Sequence, residues 1–359
     1  MELTEARSRP APGLSTADYD YQLEPERIAQ EPTGERDRCR LLIVDRRAET
    51  LRHAQFGDLA DLIPPGDVLV LNTTRVIRAR LLGTRDSPAG AQAELLLLKP
   101  VGGAASLTFE AMVHPGGKLR AGRRVYIAND LSVEIVAVTE RRTRLVRLLT
   151  PLSVDEALAR YGHVPLPPYI ARTDTIADAE RYQTVYATEP GSVAAPTAGL
   201  HFTAALLERL AARGVRRADV LLHVGAGTFK PVESEDPADH AMHEEVFTIS
   251  EDNARQINDA RATGNQVWAV GTTSVRTLET VADERGLVHA GSGETRLFIR
   301  PPYTFRATDK LVTNFHLPRS TLLMLVAAFA GYELTMHAYR TAIDAGYRFY
   351  SYGDAMVVL

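Results

Sequence analysis

Short β-rich apolar runs, separated by glycine and proline, occupy the middle of the chain between residues 73 and 149. Apolar and polar residues alternate in Ser132-Val-Glu-Ile-Val136, and no run there has the length and period of a helix. Several short strands with regular turns are typical of a small barrel or sandwich, so we predict an inserted β-barrel domain over residues 73–149. The expected strands cover residues 79–82, 93–98, 107–113, 124–127, 131–138 and 144–148.

Strand and helix patterns alternate on both sides of that region. They predict strands over residues 41–44, 66–72, 218–224, 266–270 and 311–314, and helices over 154–161, 204–213, 253–263, 275–285 and 320–330. This alternation predicts a discontinuous α/β domain over residues 18–72 and 150–359, in which ligands bind beyond the carboxyl ends of the strands. Residues 1–17 are predicted to be a mobile tail. Residues 19–30 are predicted to form a short strand and then a helix begun by Pro25.

The stretch from Gly191 to Thr203 reads G-S-V-A-A-P-T-A-G-L-H-F-T and carries almost no charge. It is too rich in small residues and proline to be predicted as a helix or a strand. Thr203 is the predicted N-cap of the next helix, so the loop brings His201 to a helix N-terminus, where negative charge is favoured. Taken alone, the stretch favours a tight structural crossover over a ligand site.

Composition restricts the function classes. The chain has 359 residues, is 45% hydrophobic and carries a net charge of −4, so RNA binding would require basic residues gathered locally. With Cys39 as the single cysteine, an internal disulfide and a cysteine-based metal site are excluded. No apolar run approaches membrane-spanning length, and the N-terminus lacks a signal-peptide core, so the predicted location is cytoplasmic.

Two glycine turns follow predicted strands. Gly225-Ala-Gly227 lacks the third glycine of a dinucleotide fingerprint, which excludes a nicotinamide site but leaves close approach to a ligand or to another loop equally open. Gly271-Thr-Thr-Ser274 is predicted to open a helix with Ser274 as N-cap, either as an ordinary capped helix or as a carboxylate or phosphate site. Arg276 in the first turn opposes the helix dipole, which favours a functional role there.

The segment His240-Ala-Met-His243-Glu244 does not have zinc-site spacing and has no evident third ligand, so no metal is predicted. His243 beside Glu244 suits general acid–base chemistry, although a solvated turn explains the spacing nearly as well. By residue pattern alone, Asn314-Phe-His316 is an ordinary buried, hydrogen-bonded histidine, and Tyr352-Gly-Asp354 is a turn that holds the chain end. The arginines of residues 35–40 form either a solvated ion-pair cluster or phosphate contacts.

Seven unusual motifs occur in an order that closely resembles the S-adenosylmethionine:tRNA ribosyltransferase-isomerase family of queuosine biosynthesis. The resemblance runs from about Asp18 to Met356. The motifs are Glu180-Arg-Tyr-Gln-Thr-Val-Tyr186, the stretch Gly191–Thr203, Leu222-His-Val-Gly-Ala-Gly-Thr-Phe229, His240-Ala-Met-His-Glu244, Ala269-Val-Gly-Thr-Thr-Ser-Val-Arg276, Thr313-Asn-Phe-His-Leu-Pro318 and Ser351-Tyr-Gly-Asp-Ala-Met356.

The resemblance implies an enzyme that transfers the ribosyl group of S-adenosylmethionine to a deazaguanine base in the tRNA wobble position. The ribosyl group is rearranged to an epoxycyclopentane, and adenine and methionine leave. It implies tRNA and S-adenosylmethionine as partners, no metal or prosthetic group, and a monomer. Two alternatives stay open: a paralogue that uses S-adenosylmethionine on a small molecule, and a non-catalytic tRNA-binding protein.

The motif match also implies site residues. We expect His201 to be the base, with His243 and Glu244 as second choice and His223 as a further proton carrier. Arg181, Arg276 and the turn Gly271–Ser274 are expected to hold the methionine carboxylate, and Tyr169, Tyr186 and Phe202 to stack on a ring. The other expected substrate contacts are Arg75, Pro196, Thr197, Gly199, Gly225, Gly227, Thr228, His240, Thr272, Thr273, Asn314, His316, Tyr352 and Asp354.

The sequence departs from the family pattern at four positions. Thr73 and Arg78 stand where the family usually has Asp and Pro. Arg296 and Arg300 replace an acidic or amide residue and a Tyr. A lost carboxylate predicts altered catalysis or substrate, whereas the added arginines equally predict a stronger RNA-facing surface.

Overall fold

The computed structural model describes residues 12–103, 106–225, 227 and 231–359. The described residues divide into two compact units. The first comprises those within Met1–Thr73, Pro196–Leu222 and Gly227–Leu359, and the second those within Thr74–Ala195 and His223–Ala226. The predicted domain boundaries at residues 73 and 149 stay a prediction. Of the predicted mobile tail, residues 1–11 lie outside the described residues, whereas Thr16 is fully buried and its N–H donates to the Glu235 carbonyl.

The strands of the described residues are numbered in chain order. They are β1 Arg40–Asp45, β2 Thr50–Gln55, β3 Val68–Asn72, β4 Thr74–Val76, β5 Arg80–Arg85, β6 Gln92–Pro100, β7 Thr108–His114, β8 Arg124–Ala128, β9 Leu131–Val138, β10 Arg144–Leu149, β11 Glu189–Ser192, β12 Arg216–Leu222, β13 Glu245–Ile249, β14 Val267–Val270, β15 Gly291–Thr295, β16 Lys310–Asn314 and β17 Ala355–Val358.

The α-helices are numbered in the same way. They are α1 Leu59–Leu62, α2 Val154–Tyr161, α3 Asp178–Arg181, α4 Ala204–Ala212, α5 Glu251–Ala262, α6 Thr272–Val281, α7 Thr321–Ala330 and α8 Tyr332–Asp344. No single helix in the described part of the chain is long and apolar enough to cross a membrane. The bent pair α7 and α8 meets the requirement by length and composition alone.

The first unit is built on a nine-stranded sheet of order β15-β13-β12-β3-β14-β16-β17-β1-β2. Strands β12, β3, β14 and β16 run parallel, and β17 turns antiparallel to β16. Every residue of β3 and β14 is buried, as expected of parallel strands covered on both faces. The carboxyl ends of the four parallel strands therefore share one edge with the amino ends of β17 and β1.

The second unit contains a closed barrel of order β10-β7-β6-β5-β8-β9 and a separate parallel pair, β4 and β11. Along β9 the residues Leu131, Val133 and Ile135 point into the barrel core, and the residues between them are partly exposed. Each of the predicted short runs overlaps one barrel strand. The predicted fold class, an α/β domain with an inserted barrel, is confirmed.

Tertiary pairing overrides the sequence pattern near the N-terminus. Residues 19–30 form neither the predicted strand nor the predicted helix, but 3₁₀ helices at Thr16–Tyr19 and Pro25–Arg27. The second ends after one turn because the backbone then pairs with Phe349: the Phe349 N–H donates to the Arg27 carbonyl, and the Ala29 N–H donates to the Phe349 carbonyl.

Two glycine-rich stretches also differ from expectation. Part of the stretch 191–203, predicted to be irregular, forms the end of β11 and a 3₁₀ helix at Thr197–His201. Helix α6 has Gly271, with a φ of 84°, as its N-cap in place of the predicted Ser274. Ser274 lies inside the first turn, and its hydroxyl donates to the Val270 carbonyl at 2.8 Å.

A buried carboxylate holds α6 against the segment that leads into β16. Glu279 is 5% exposed. Its oxygens accept hydrogen bonds from the Arg306 N–H at 2.8 Å, the Ala307 N–H at 3.1 Å and the Thr308 hydroxyl at 2.9 Å. Each of these donors would lose its partner if the carboxylate were removed, so Glu279 fixes where α6 lies relative to the sheet.

We therefore expect Glu279→Ala to lower the free energy of unfolding by about 2–4 kcal/mol, since it strands several buried donors. Urea denaturation of the purified protein measures the change. Glu284→Ala is the matched control, because Glu284 is exposed, and it should change stability by less than about 0.5 kcal/mol. Equal effects of the two substitutions would contradict the role given to Glu279.

Candidate active site

The strand directions bring residues from distant parts of the sequence to one edge of the sheet in the first unit. Asn314 ends β16, Gly271 follows β14, and Asp354 and Cys39 precede β17 and β1. Ligands of α/β proteins bind beyond such carboxyl ends, so this edge is the first place to look for a site.

His201 lies at this edge with both ring nitrogens hydrogen-bonded inside the protein. Its Nε2 is 2.9 Å from Asn314 Nδ2, and its Nδ1 is 3.2 Å from Cys39 Sγ. Asn314 Nδ2 also donates to the Tyr350 carbonyl at 3.1 Å, which identifies it as the nitrogen of the amide. His201 Nε2 must therefore accept, and the ring proton sits on Nδ1, towards the sulfur.

Burial decides the charge of this cluster. It lowers the pKa of His201 to about 4, although the Asp354 carboxylate works in the opposite direction. Burial likewise raises the pKa of the Cys39 thiol well above its usual range. The contacts resemble a cysteine–histidine–asparagine nucleophile, but the thiol is neutral and 1% exposed, so it is not a reactive thiolate.

Asp354 joins the starts of β1 and β17. Its carboxylate accepts the Arg40 N–H at 2.9 Å, the Arg348 N–H at 2.8 Å and the Arg40 guanidinium at 2.9 Å. The arginines of the 35–40 segment thus have separate partners: Arg38 pairs with Glu35, and Arg36 donates to the Leu200 carbonyl. The ion-pair interpretation holds for Arg38 and Arg40.

His316 is buried, and its hydrogen bonds are made within the protein. Its Nε2 is 2.8 Å from the Thr313 hydroxyl, and its backbone N–H donates to the Tyr339 hydroxyl at 2.8 Å. Burial lowers the pKa of His316 to about 3, so the ring is neutral at pH 7. Tyr352 is buried as well.

Arg276 has a partner within the protein. It is 5% exposed, forms an ion pair with Glu245 and donates to the Leu297 carbonyl at 3.0 Å. Arg276 is placed unfavourably relative to the helix dipole, and we inferred a ligand from that position. The ion pair with Glu245, which is distant in sequence, also accounts for it.

Two histidines, His240 and His243, precede β13. The His240 ring packs edge to face with the ring of Phe298, and their centroids are 5.7 Å apart. Burial lowers the pKa of His240, and the charge of His243 lowers it further. His243 packs on Gly227 so closely that a Cβ there would lie 2.1 Å from the ring, so this glycine approaches another loop, one of the two alternatives left open. Glu244 forms an ion pair with Arg296.

In the second unit, His223 packs against a glycine in the same way. A Cβ on Gly191 would lie 2.7 Å from His223 Cε1. The ring is fixed by Thr74, whose hydroxyl is 2.8 Å from Nδ1, while Nε2 has no hydrogen-bond partner among the residues that the structure describes. Burial lowers the pKa of His223, and the Glu189 carboxylate opposes the shift. His223 is thus a half-buried imidazole with one nitrogen held and the other available.

The remaining expected contacts fall into two groups. In the first unit Pro196, Gly199, Phe202, Thr272 and Thr273 are buried and Thr197 is partly exposed. In the second unit Tyr186 is buried, Arg75 is exposed, and Tyr169, Arg181 and Gly225 are partly exposed. Thr228 lies outside the described residues. Among the described residues, no three His, Cys, Asp or Glu side chains are grouped so that they could hold a metal ion.

Sequence reasoning missed three members of these clusters. Cys39 entered the sequence argument only through the disulfide and the metal site that a single cysteine excludes, although its place before a buried strand could have marked it as an edge residue. Thr74 lies beside the departure at Thr73, and that neighbouring position was its one signal in the sequence. Phe56, whose ring centroid is 5.1 Å from that of His201, carries no signal in the local pattern.

Buried, neutral histidines at the strand ends where α/β proteins bind ligands mark a candidate site in a protein of the α/β class with an inserted barrel. A family model described as "Queuosine biosynthesis protein" matches residues 16–358. The chain belongs to this family. The predicted resemblance is confirmed.

Relatives match over nearly the full length. Proteins named S-adenosylmethionine:tRNA ribosyltransferase-isomerase from Symbiobacterium thermophilum and Moorella thermoacetica are 52% and 51% identical to it. These matches cover 96% and 95% of this chain and 100% and 99% of the relatives. The crystal structure of an S-adenosylmethionine tRNA ribosyltransferase from Thermotoga maritima matches with 37% identity and a TM-score of 0.54, over 95% of this chain and 99% of that one. The prediction of an enzyme is confirmed.

The environment of His201 predicts a pH effect on stability. A histidine with a pKa of about 4 when folded and 6.5 when unfolded binds fewer protons in the folded state between these values. Stability therefore falls as the pH drops through this window, by up to about 1.4 kcal/mol per pH unit for this one group. In His201→Gln this part of the slope should disappear, as measured by urea denaturation from pH 7 to pH 4. An unchanged slope would contradict the assignment.

Proposed function

We propose that the protein transfers and isomerises the ribosyl group of S-adenosylmethionine onto 7-aminomethyl-7-deazaguanine in the wobble position of tRNA, with release of adenine and methionine. The observation that carries this proposal is the match, at about half identity and nearly full length, to relatives named for this activity. The motifs that carry the resemblance are spread from one end of the chain to the other.

The reaction sets three chemical demands. A base removes a proton from the 5′ carbon, which the neighbouring sulfonium makes more acidic. A hydrogen-bond donor helps adenine to leave. Fixed polar groups hold the methionine end and keep water away from reactive intermediates.

His223 meets the first demand better than His201, which we expected to be the base. A base must be neutral and must have a nitrogen that can reach the substrate proton. Burial keeps both imidazoles neutral, but both nitrogens of His201 are engaged with Cys39 and Asn314. Nδ1 of His223 is 2.8 Å from the Thr74 hydroxyl, and Nε2 has no hydrogen-bond partner within the described part of the chain. The tautomer in which Nδ1 donates to Thr74 leaves the lone pair on Nε2. We therefore assign His223 as the base. His201 is a positioning residue that holds its own loop, residues 191–203, in place.

His243 is the second choice for proton transfer, although its expected partner is engaged elsewhere. Glu244 forms an ion pair with Arg296, which stands where the family usually has an acidic or amide residue. The Glu244 carboxylate, which was expected to tune His243, is thus partly neutralised by Arg296. This makes His243 and Glu244 a weaker candidate for the general acid and base.

The departures from the family pattern do not favour a small-molecule acceptor. The Thr73 hydroxyl donates to the Val220 carbonyl at 3.3 Å, and Arg78 donates to the Ala159 carbonyl at 2.8 Å. Each residue thus has a local structural role. We retain tRNA and S-adenosylmethionine as the substrates. A monomeric state, a cytoplasmic location and the absence of metal remain predictions.

The first test is incubation of the protein with S-adenosylmethionine and a tRNA that carries 7-aminomethyl-7-deazaguanine. We expect adenine and methionine to be released only when this tRNA is present, with a matching mass gain on the RNA. Mass spectrometry follows all three products. A tRNA with unmodified guanine at the wobble position is the control. Release without any RNA dependence would favour a small-molecule acceptor, and binding of tRNA with no release would favour a non-catalytic protein.

The role of His223 predicts a separate result. His223→Gln should lower kcat/KM by about 10²–10⁴-fold, the usual contribution of a general base. In the wild type, kcat/KM should fall as the pH drops through the pKa of His223, which lies below its ordinary value because of burial. The matched variant His201→Gln should lower kcat/KM less and keep that acidic limb. Loss of the limb in His201→Gln and its retention in His223→Gln would reverse the assignment.

A further inference from the structure

The start of α6 has backbone donors that no side chain caps. Its N-cap is Gly271, and the first hydrogen bond within the helix runs from the Val275 N–H to the Gly271 carbonyl at 3.3 Å. The N–H groups of Thr272, Thr273 and Ser274 precede that bond, and no described side chain caps them. Such groups, together with the helix dipole, favour an anion at the end of the helix.

The hydroxyl of Thr273 lies at the same place. Thr273 is 8% exposed, and its Oγ1 is buried with no hydrogen-bond partner among the described residues. Oγ1 is 3.6 Å from the point where a Cβ on Gly271 would lie, so it lies beside the helix N-cap. A buried hydroxyl without a partner costs free energy, which makes a ligand atom the natural acceptor.

Other hydroxyls of the same helix are used differently. Ser274, Thr277 and Thr280 each donate to the carbonyl four residues earlier, at 2.8, 3.0 and 2.7 Å. Thr273 makes no such bond. The Thr273 hydroxyl therefore remains available next to the uncapped N–H groups. The three other hydroxyls instead donate to the backbone of the preceding turn.

Small residues surround the start of this helix. The nearest atoms to a Cβ on Gly271 are Thr273 Oγ1 at 3.6 Å and Ala198 Cβ, from the 3₁₀ helix Thr197–His201, at 3.7 Å. Because these residues are buried and small, the site admits the end of a small ligand more readily than an RNA phosphate, which carries a ribose on each side. Arg276 pairs with Glu245, and its Nη2 has no hydrogen-bond partner among the described residues.

We propose that the start of α6 binds the carboxylate of the methionine part of S-adenosylmethionine, with the Thr273 hydroxyl donating alongside the first-turn N–H groups. This inference rests on the proposed function, since it takes its ligand from there. The motif match suggested Arg181, Arg276 and the turn Gly271–Ser274 as groups that could hold the carboxylate. The inference selects the turn at the start of α6. Thr273 is then a specificity-determining residue for the amino-acid end of the cosubstrate.

The test compares S-adenosylmethionine with decarboxylated S-adenosylmethionine, which keeps the sulfonium, the amine and the nucleoside. Isothermal titration calorimetry measures the Kd of both ligands for the full chain. We expect the wild type to bind S-adenosylmethionine at least about tenfold more tightly than the decarboxylated ligand. Thr273→Val should weaken binding of S-adenosylmethionine by about tenfold and leave the decarboxylated ligand unchanged, whereas Thr273→Ser should retain wild-type affinity.

Thr277→Val is the control, because that hydroxyl bonds to the helix backbone, and it should leave the ratio of the two Kd values unchanged. Equal wild-type affinity for the two ligands would overturn the inference without any variant. So would the same loss for both ligands in Thr273→Val. A wild-type protein that binds neither ligand would instead overturn the proposed function, so the two failures are distinguishable.

Discussion

The direction of the strands in the first unit is the constraint on which the candidate site depends. Four adjacent parallel strands end at one edge, and the reversal at β17 brings the starts of β17 and β1 to the same edge. Residues as far apart in sequence as Cys39, His201 and Asn314 can form one hydrogen-bonded chain only because of this arrangement. Reversal of any of these strands would carry its end residue to the opposite edge of the sheet.

Burial then controls the chemistry of the histidines. Removing an imidazole from water disfavours its charged form, so His201, His223 and His316 are neutral at pH 7 with one lone pair each. What distinguishes them is where that lone pair points. In His201 it faces the Asn314 amide, whereas in His223 one nitrogen is held by Thr74 and the other is not hydrogen-bonded within the described residues. Neutrality is therefore necessary for a base, but the hydrogen-bond partners decide which histidine can act as one.

Periodic patterns predicted the elements that depend on local sequence. The barrel strands, α4 with its Thr203 cap and the buried helix α7 all follow from alternation, helical period and capping residues. The errors occur where distant backbone competes with local preference. Pro25 begins only one turn because Phe349 pairs with the chain beyond it. The N-cap of α6 is Gly271, whose positive φ the sequence alone does not reveal.

Predictions for the site were limited in the same way, because a charged residue can be interpreted only with its partner. Arg276 was expected to meet a ligand, and the fold adds an ion pair with Glu245 on β13 that the local sequence does not reveal. Arg296 stays a candidate RNA contact, and it also forms an exposed ion pair with Glu244 that the local sequence does not reveal. The uncapped start of α6 offers a further way to hold an anion at this edge. A helix N-terminus carries only partial charge, so it holds a carboxylate more weakly than a full ion pair would, which suits release of methionine once the sulfonium bond has broken.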